Sequence, residues 1–384
     1  MIARKNILKI KTKWKGQIKM QEKIQMTDLK SQYEAIKSEI DTAIQSVINE
    51  SSFIQGKPVS LLEEEIARYF GVKFAVGVAS GTDALVLALT ALGIGSGDEV
   101  ITTPFTFIAT AEAISRVGAK PVFCDIDLDT YNIDPDKIEE KITPRTKALL
   151  PVHLYGMPCR MDKIMAIVNK HKLKLVEDCA QSFGSEYKNK KVGTFGDCGC
   201  LSFFPAKTLG CYGDGGMIIT DNEEVVQKAK MLRNHGSGKK YYYGIHGFNS
   251  RLDTLQAAVL RVKLKYIDLW INKRIENARY YNELLLGLSP KGTVPEYKHT
   301  FNYYTIRIKN NKREEVQNRL KERAIPSAIY YPLCLHLQEV YRDLGYIKGD
   351  FPIAEQAQDE VLGLPMCPEL TKVQIKQITD TIKE

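Results

Sequence analysis

FAVGVASGTDALVLALTALGIGSGDEVITTP, residues 74–104, alternates short apolar runs with a helical pattern. Residues 74–80 predict a strand, 83–93 a helix and 99–104 a second strand, because short apolar runs fit buried strands and longer periodic stretches fit helices. The same alternation continues with predicted strands at 120–126, 147–153, 173–179, 199–205 and 215–221. Strands that are apolar throughout and alternate with helices indicate an α/β fold, with a mostly parallel sheet sandwiched by helices.

Helical patterns precede and follow this region. Residues 29–49 and about 59–70 predict two helices before the first strand, and one long helix is predicted from about 255. The remainder combines a strand, a helix and a final apolar-periodic stretch, which fits a smaller α+β domain. We therefore predict a basic tail at 1–25, a large α/β domain at 26–265 and a small C-terminal domain at 266–384.

The positive charge of the chain is concentrated at its N-terminus. The 384 residues carry a formal net charge of +8. Residues 1–26 contain eight basic residues and one acidic residue, so the rest of the chain is almost neutral. A solvated tail, or a start at Met20 or Met26, explains this pattern better than a nucleic-acid-binding arm does. Nucleic-acid binding is therefore not predicted.

Two further features bear on the environment of the protein. No run of about 18 apolar residues is present, and charges interrupt any apolar N-terminal segment, so neither a membrane span nor a secretory signal is predicted. Eight cysteines without an export signal are typical of reduced thiols in a cytoplasmic protein. The only close pair, Cys198 and Cys200, has no second pair at metal-ligand spacing, and no metal site is predicted.

Three segments place polar residues where predicted strands end, which is where open α/β sheets bind ligands. Residues 80–83, Ser-Gly-Thr-Asp, begin a helix and could bind phosphate, although these residues are also common N-caps. Asp178 is either a cap or a buried carboxylate able to keep a pyridine nitrogen protonated. Lys207 lies in an apolar, Gly-flanked turn, where a partly desolvated amine has a lowered pKa and can form an imine; most lysines are instead solvated.

Six ordered motifs extend this interpretation: SGTDAL, TPFTFIATAE, PVHLYG, EDCAQSFG, SFFPAKTLGCYGDGG and NSRLDTLQAA. In this order they closely resemble the DegT/DnrJ/EryC1/StrS sugar aminotransferases, over about residues 26–384. The resemblance implies a fold-type-I transferase that depends on pyridoxal 5′-phosphate (PLP) and aminates a nucleotide-linked keto-sugar. Relatives with His at the lysine position perform sugar deoxygenation instead, and Lys207 argues against that branch.

The resemblance also implies a role for each matching residue. Lys207 would form the imine and move protons, and Asp178 would pair with the pyridine nitrogen. Gln181 would bind the phenolic oxygen of the ring. Phe107 would stack on the ring, although a role as a core aromatic is equally consistent with the sequence. The phosphate would be held by Gly81, Thr82 and Ser202, and by Asn249 of a second subunit, which implies a homodimer with shared active sites.

The sequences of these motifs are most similar to those of enzymes that aminate C3 of UDP-linked 3-keto sugars derived from N-acetylglucosamine or its uronate. Arg251 is the candidate for a substrate anion, unless it pairs with Asp253 or another acid. Tyr330 and Tyr331 are also predicted to bind substrate. Uronate-type relatives commonly carry His-Tyr here, and a neutral phenol lacks the positive charge that His offers to a carboxylate. A UDP-2-acetamido-3-keto-hexose, with glutamate as amino donor, is therefore predicted ahead of the uronate.

Two other functions stay open on the sequence. One is amination at C3 or C4 of a dTDP-keto-6-deoxyhexose. The other, from a different class, is a non-catalytic regulatory protein with a PLP-enzyme fold. The set Lys207, Asp178 and Gln181 argues against the second, because such a protein needs no imine-forming lysine. His153 and His235 could line the site, but structural histidines fit the sequence at least as well.

Overall fold

The computed structural model describes residues 23–288 and 296–384, so the predicted tail at 1–25 lies almost entirely outside the described residues. Fourteen strands are present among the described residues: Phe74–Val78 (β1), Glu99–Thr102 (β2), Lys120–Phe123 (β3), Thr146–Leu149 (β4), Lys174–Asp178 (β5), Glu186–Tyr187 (β6), Lys190–Lys191 (β7), Cys198–Ser202 (β8), Gly216–Thr220 (β9), Ser237–Lys239 (β10), Tyr242–Tyr243 (β11), Tyr297–Lys298 (β12), Tyr304–Arg307 (β13) and Val361–Leu364 (β14).

Seven of these strands form the central sheet, in the spatial order β1, β9, β8, β5, β4, β2, β3. Strands β8, β5, β4, β2 and β3 pair in parallel, whereas β9 pairs antiparallel with both of its neighbours. Only β9 therefore runs against the other six, and the predicted mostly parallel sheet is confirmed. The carboxyl ends of β1, β5 and β8 consequently lie at one edge of the sheet.

Helices cover both faces of this sheet. In β9, Met217 and Ile219 pack into one apolar cluster and Ile218 packs into another, because successive side chains of a strand point to opposite faces. The described helices are Leu29–Glu50, Lys57–Phe70, Gly81–Ala91, Ala109–Arg116, Met161–His171, Glu223–Leu232, Thr254–Leu264, Ile267–Leu284, Arg313–Glu322, Pro352–Glu360 and Lys372–Lys383. Among these described helices, none is long and apolar enough to cross a membrane.

The prediction of one continuous helix after residue 255 is wrong. The chain forms two helices, Thr254–Leu264 and Ile267–Leu284, with a bend at Lys265 and Tyr266. Tyr266 leaves the first helix to stack on Trp270, with ring centroids 6.0 Å apart, and its hydroxyl bonds Glu39. The apolar periodicity of the sequence continues across the bend because both helices bury an apolar face. The break between them arises from the tertiary contacts of Tyr266 and is therefore not visible in the sequence.

The predicted strands are also longer than the observed ones. Residues 120–126 were assigned to one strand, but β3 ends at Phe123. The reason is Asp125, whose carboxylate accepts the backbone N–H groups of Ile353 and Ala354, 3.2 Å and 2.9 Å away, at the start of a distant helix. The chain must leave the sheet for Asp125 to cap that helix.

The C-terminal part has its own apolar cluster. Strands β13 and β14 pair antiparallel, and the helices Arg313–Glu322 and Lys372–Lys383 pack near them. Tyr281 of the helix Ile267–Leu284 stacks on Tyr304, with ring centroids 4.5 Å apart. This arrangement fits an α+β unit, while the boundary at residue 266 stays a prediction.

Candidate active site

Asp178 lies at the carboxyl end of β5 and is buried. Its Oδ2 accepts the hydroxyl of Thr110 at 2.8 Å, and its Oδ1 accepts the backbone N–H of Ala180 at 3.1 Å. Burial raises the pKa of the Asp178 carboxyl above its ordinary value, and these two donors and the charge of Lys207 oppose the shift. The side chain is thus a buried carboxylate that a cationic partner would keep ionised.

Lys207 lies in the loop that follows β8, within residues 203–211, which we call the lysine loop. The loop is closed by its own backbone, with Lys207 N donating to Phe204 O and Cys211 N to Phe203 O, both at 2.8 Å. Burial lowers the pKa of the Lys207 amine to about 8, and the negative charge of Asp178 only partly offsets this. The lowered pKa, which the sequence predicts, increases the neutral, nucleophilic fraction of the amine near neutral pH relative to an ordinary lysine.

The predicted phosphate-binding helix start is formed at the same edge. Helix Gly81–Ala91 begins after β1, and Ser80 caps it by accepting the N–H of Asp83 at 3.1 Å. A Cβ on Gly81 would lie 2.6 Å from the Cβ of Ser202, so only glycine allows the helix start to approach the end of β8. The structure therefore brings Gly81 and Ser202 together, and Gly81 and Thr82, at the start of the helix, are half-buried.

Phe107, Gln181 and Tyr331 form a second group. The Phe107 ring is half-exposed, which contradicts a core role, and its centroid lies 6.1 Å from that of Tyr331. Gln181 Oε1 accepts the N–H of Tyr155 at 2.7 Å, and its Nε2 donates to the Tyr331 hydroxyl at 2.9 Å. The amide is thereby held by protein contacts and retains a second N–H for a ligand.

Asn249 and Arg251 lie apart from this group in the contacts that the structure shows. Asn249 is exposed, and its neighbour Ser250 donates to Asp83 Oδ2 at 2.7 Å. Arg251 Nη1 donates to Asn234 Oδ1 at 2.9 Å. Within the described part of the chain Arg251 forms no ion pair with an acid, and its buried Nε has no partner. The alternative of a salt bridge with Asp253 is therefore wrong.

The two histidines considered on the sequence do not line this group. His235 is exposed, and His153 is fully buried beside Glu177. The N–H of Cys159 donates to His153 Nδ1 at 3.0 Å, so the ring proton lies on Nε2, 3.0 Å from Glu177 Oε2. His153, Glu177 and Cys179 bring three potential metal ligands within 4.8 Å, but the hydrogen bonds already occupy both ring nitrogens of the histidine.

Replacing Glu177 with glutamine is expected to lower the free energy of unfolding by about 3 kcal/mol, because charge-assisted hydrogen bonds contribute about 1.5–3 kcal/mol each. Its carboxylate accepts backbone N–H groups from Gly193, Phe195 and Gly196 at 2.7–3.0 Å. Urea unfolding measures the loss. Glu64→Gln, at an exposed position, is the control and should change the midpoint little. Equal midpoints for the two variants would contradict the role given to Glu177.

Sequence reasoning missed two residues of the site. Thr110 donates to Asp178, and its position within the TPFTFIATAE motif was a signal that could have identified it. Tyr303 places its ring centroid 5.9 Å from the Lys207 amine and 4.1 Å from the ring centroid of Tyr330. No local pattern marks Tyr303, because almost a hundred residues separate it from the lysine loop.

The sheet order, the antiparallel β9 and the lysine loop at the carboxyl edge define the fold class of the fold-type-I PLP-dependent transferases. Within this class, the chain belongs to the DegT/DnrJ/EryC1/StrS aminotransferase family, whose pattern matches residues 34–383. Both predictions, of the fold and of the family, are confirmed. The chain is a sugar aminotransferase, and PLP is the cofactor of the family.

Several relatives match almost the whole chain. A pleiotropic regulatory protein of Geobacillus stearothermophilus is 48% identical over 367 residues, covering 94% of this chain and 98% of the relative. A UDP-N-acetyl-3-dehydro-alpha-D-glucosamine 3-aminotransferase of Acidithiobacillus ferrooxidans is 46% identical, covering 94% and 97%. A UDP-2-acetamido-2-deoxy-3-oxo-D-glucuronate aminotransferase of Pseudomonas aeruginosa is 43% identical, covering 92% and 98%.

Enzymes of dTDP-sugars are also similar. A dTDP-3-amino-3,4,6-trideoxy-alpha-D-glucose transaminase of Streptomyces venezuelae is 40% identical, covering 94% of this chain and 96% of the relative. The crystal structure of S. venezuelae DesV in complex with a ketimine intermediate has a TM-score of 0.91 at 40% identity, covering 94% of this chain and 98% of that chain. Identity to both nucleotide types is of the same order, so similarity alone does not choose the substrate.

Proposed function

We propose that this chain transfers an amino group from glutamate to C3 of a UDP-linked 2-acetamido-3-keto-hexose. The observation that carries the proposal is Lys207, a desolvated amine of lowered pKa that interacts electrostatically with the buried carboxylate of Asp178 at the carboxyl edge of the sheet. Relatives named for amination at C3 of UDP-keto-sugars are 46% and 43% identical, which supports the substrate class. The uronate remains the second candidate and the dTDP-keto-6-deoxyhexose the third.

The residues at this edge fit PLP. The helix start at Gly81, with Thr82 and Ser202, offers donors to a phosphate, and the absence of a Cβ on Gly81 permits a close approach. Asp178 suits a protonated pyridine nitrogen, because a cation would offset the cost of its buried charge. The half-exposed Phe107 offers a ring face and Gln181 a free N–H. When bound, PLP supplies an electron sink for the carbon that loses or gains a proton.

Lys207 provides the proton transfer. With a pKa of about 8, its amine exists in both protonation states near neutral pH, so it can accept a proton from one carbon and return it to another. The ring of Tyr303 lies 5.9 Å from this amine and is stacked on the ring of Tyr330. Because neither phenol carries a charge, we expect these side chains to favour a substrate with an uncharged C6 over a carboxylate.

The exposed apolar residues support a homodimer with shared sites. Six of the exposed large apolar side chains belong to the lysine loop or to other segments of the large domain: Phe53, Ile54, Phe107, Phe204, Tyr212 and Phe248. Large exposed apolar patches commonly mark protein interfaces. We expect a second copy to pack on some of these side chains and to contribute its exposed Asn249 to the phosphate site. Light scattering tests this, because a monomer in solution would contradict it.

Absorption spectra test the function directly. Glutamate should convert the PLP band of the purified protein to the band of the amine form, and one keto-sugar from a panel of UDP- and dTDP-linked compounds should restore it. Restoration by a dTDP-sugar alone would contradict the proposed substrate. No response to glutamate would favour the regulatory alternative, which the name of the Geobacillus relative also raises.

A cytoplasmic location remains a prediction, with which the eight free, buried cysteines are consistent.

Replacing Arg251 with glutamine is expected to raise KM for the nucleotide-sugar about 10- to 100-fold and to change kcat much less. A charge-assisted hydrogen bond to a phosphate or carboxylate contributes about 1.5–3 kcal/mol, and Arg251 has no acid partner among the described residues. Steady-state kinetics measure the two constants separately.

Arg261→Gln is the matched control for this prediction. Arg261 lies on the following helix and already pairs with Glu65, with Nη2 2.7 Å from Oε1. The substitution Arg261→Gln should therefore leave KM for the nucleotide-sugar unchanged. Equal KM values for wild type and Arg251→Gln, or an equal rise in Arg261→Gln, would rule out Arg251 as the anion-binding residue.

A further inference from the structure

Asn302 reaches the lysine loop from the C-terminal part of the chain. Its side chain is fully buried, and its Oδ1 accepts two hydrogen bonds from Thr208, at 3.0 Å from the backbone N and 3.2 Å from Oγ1. Thr208 directly follows Lys207. Because the backbone N–H and the hydroxyl of Thr208 both donate to the same oxygen, this double contact holds the backbone of the lysine loop at one place. The other polar atom of the amide, Nδ2, is buried without a partner among the described residues.

The next residue contacts the side chain of the same lysine. Tyr303 has its ring centroid 5.9 Å from Lys207 Nζ, on one side of the amine. Tyr303 also stacks on Tyr330, whose ring lies at 21° to that of Tyr303. Two consecutive residues therefore contact the lysine loop: Asn302 binds its backbone at Thr208, and Tyr303 lies near the amine of Lys207.

A buried arginine fixes the backbone of this segment. Arg274, on the helix Ile267–Leu284, is 3% exposed, and its Nη1 lies 2.9 Å from Met366 O and 3.3 Å from Phe301 O. Carbonyl oxygens replace the water that the guanidinium lost on burial. Asn302 consequently has little freedom to follow a displacement of the lysine loop, and it acts as a fixed support for that loop.

We propose that Asn302 is a positioning residue that, through Thr208, keeps the Lys207 amine in its desolvated place. The proposal rests on the proposed role of Lys207, but it concerns the amine itself and can be measured apart from turnover. If the support is lost, water reaches the ammonium group, desolvation weakens, and the pKa of Lys207 rises from about 8 toward its ordinary value. A higher pKa leaves less neutral amine at neutral pH.

The test is the pH dependence of Lys207 acetylation in Asn302→Leu. Trace acetic anhydride labels neutral amines, and mass spectrometry of the peptide that contains Lys207 gives the midpoint of labelling against pH. We expect the midpoint to rise by about one pH unit, which is about tenfold slower labelling at pH 7. The full-length protein is labelled in two states. In the first the cofactor is bound in its amine form, which leaves Lys207 free, and in the second the cofactor has been removed.

Asn277→Leu is the matched control. Asn277 is also a buried asparagine, on the helix Ile267–Leu284, and its Nδ2 donates to Cys367 O at 2.9 Å. The same substitution there removes a hydrogen bond to the C-terminal part without touching the lysine loop. It should lower stability comparably and leave the midpoint of Lys207 labelling unchanged.

Thr208→Val keeps the test valid if Asn302→Leu does not fold, because it removes one of the two hydrogen bonds with little change of shape. It should shift the midpoint in the same direction by less, and it should add little when combined with Asn302→Leu. An unchanged midpoint in the folded variants, or an equal shift in Asn277→Leu, would overturn the proposal. Wild-type protein without aminotransferase activity would instead contradict the proposed function, and the labelling comparison would still hold.

Discussion

Lys207→Ala is expected to abolish amino transfer, with kcat/KM reduced by at least about 10³-fold, because one change removes both the imine-forming amine and the group that moves the proton. The lowered pKa of Lys207 and the proximity of Asp178 are the physical reasons for this choice of lysine. Steady-state kinetics with glutamate and the keto-sugar that restores the PLP band of the wild-type protein measure the loss. The absorption band of covalently bound PLP should also be absent.

Lys263→Met is the matched control for this prediction. Lys263 is a fully buried lysine whose pKa burial lowers to about 8, as in Lys207, and its Nζ donates to Gly210 O at 2.7 Å. It differs from Lys207 in that its amine is bound to a carbonyl of the lysine loop. The variant should keep the covalent PLP band, although its stability falls. A band that persists in Lys207→Ala and disappears in Lys263→Met would move the covalent link to Lys263.

Asp178→Asn should reduce kcat by roughly 10²- to 10⁴-fold, the range typical of a displaced proton-transfer or charge-stabilising group. The amide still fits beside Thr110 and Ala180, so shape is largely preserved. It carries no negative charge, however, and cannot stabilise a protonated pyridine nitrogen. Single-turnover kinetics with glutamate measure the chemical step, and PLP titration measures the accompanying loss of cofactor affinity.

Asp343→Asn controls for the change from carboxylate to amide. Asp343 is exposed, its carboxylate forms no ion pair among the described residues, and the change is expected to leave kcat and PLP affinity as in wild type. An Asp178→Asn enzyme with near wild-type turnover would contradict the pairing of Asp178 with the cofactor. It would leave Asp178 as a buried cap for the end of β5.

The local features of the site were predictable from sequence. The strand and helix alternation around residues 74–104 predicted the sheet and its covering helices. The polar residues Ser80 and Asp178, at the ends of predicted strands, were recognisable from the sequence. The end of β8 at Ser202 was not, because the apolar run continues and the strand is predicted to reach residue 205. Lys207 was recognisable by its apolar, glycine-flanked surroundings. Each of these signals depends on residues that are close in the chain.

Other parts of the interpretation depended on the packed structure. The sequence left Phe107 open between a stacking ring and a core aromatic, and only its half-exposed ring argues for the first. Arg251 could have paired with Asp253, and only the observed contact with Asn234 excludes this. The bend at Tyr266 is likewise absent from the helical periodicity.

The sequence by itself determined the α/β class, the position of the lysine loop and the identity of the residues at the strand ends, because hydrophobic period and turn chemistry act over a few residues. Only the tertiary structure decided that Asn302 supports Thr208, 94 residues away, and that Tyr303 faces Lys207. The physical reason is that such contacts depend on how the C-terminal part packs against the sheet. No local preference of Asn302 or Tyr303 encodes that packing.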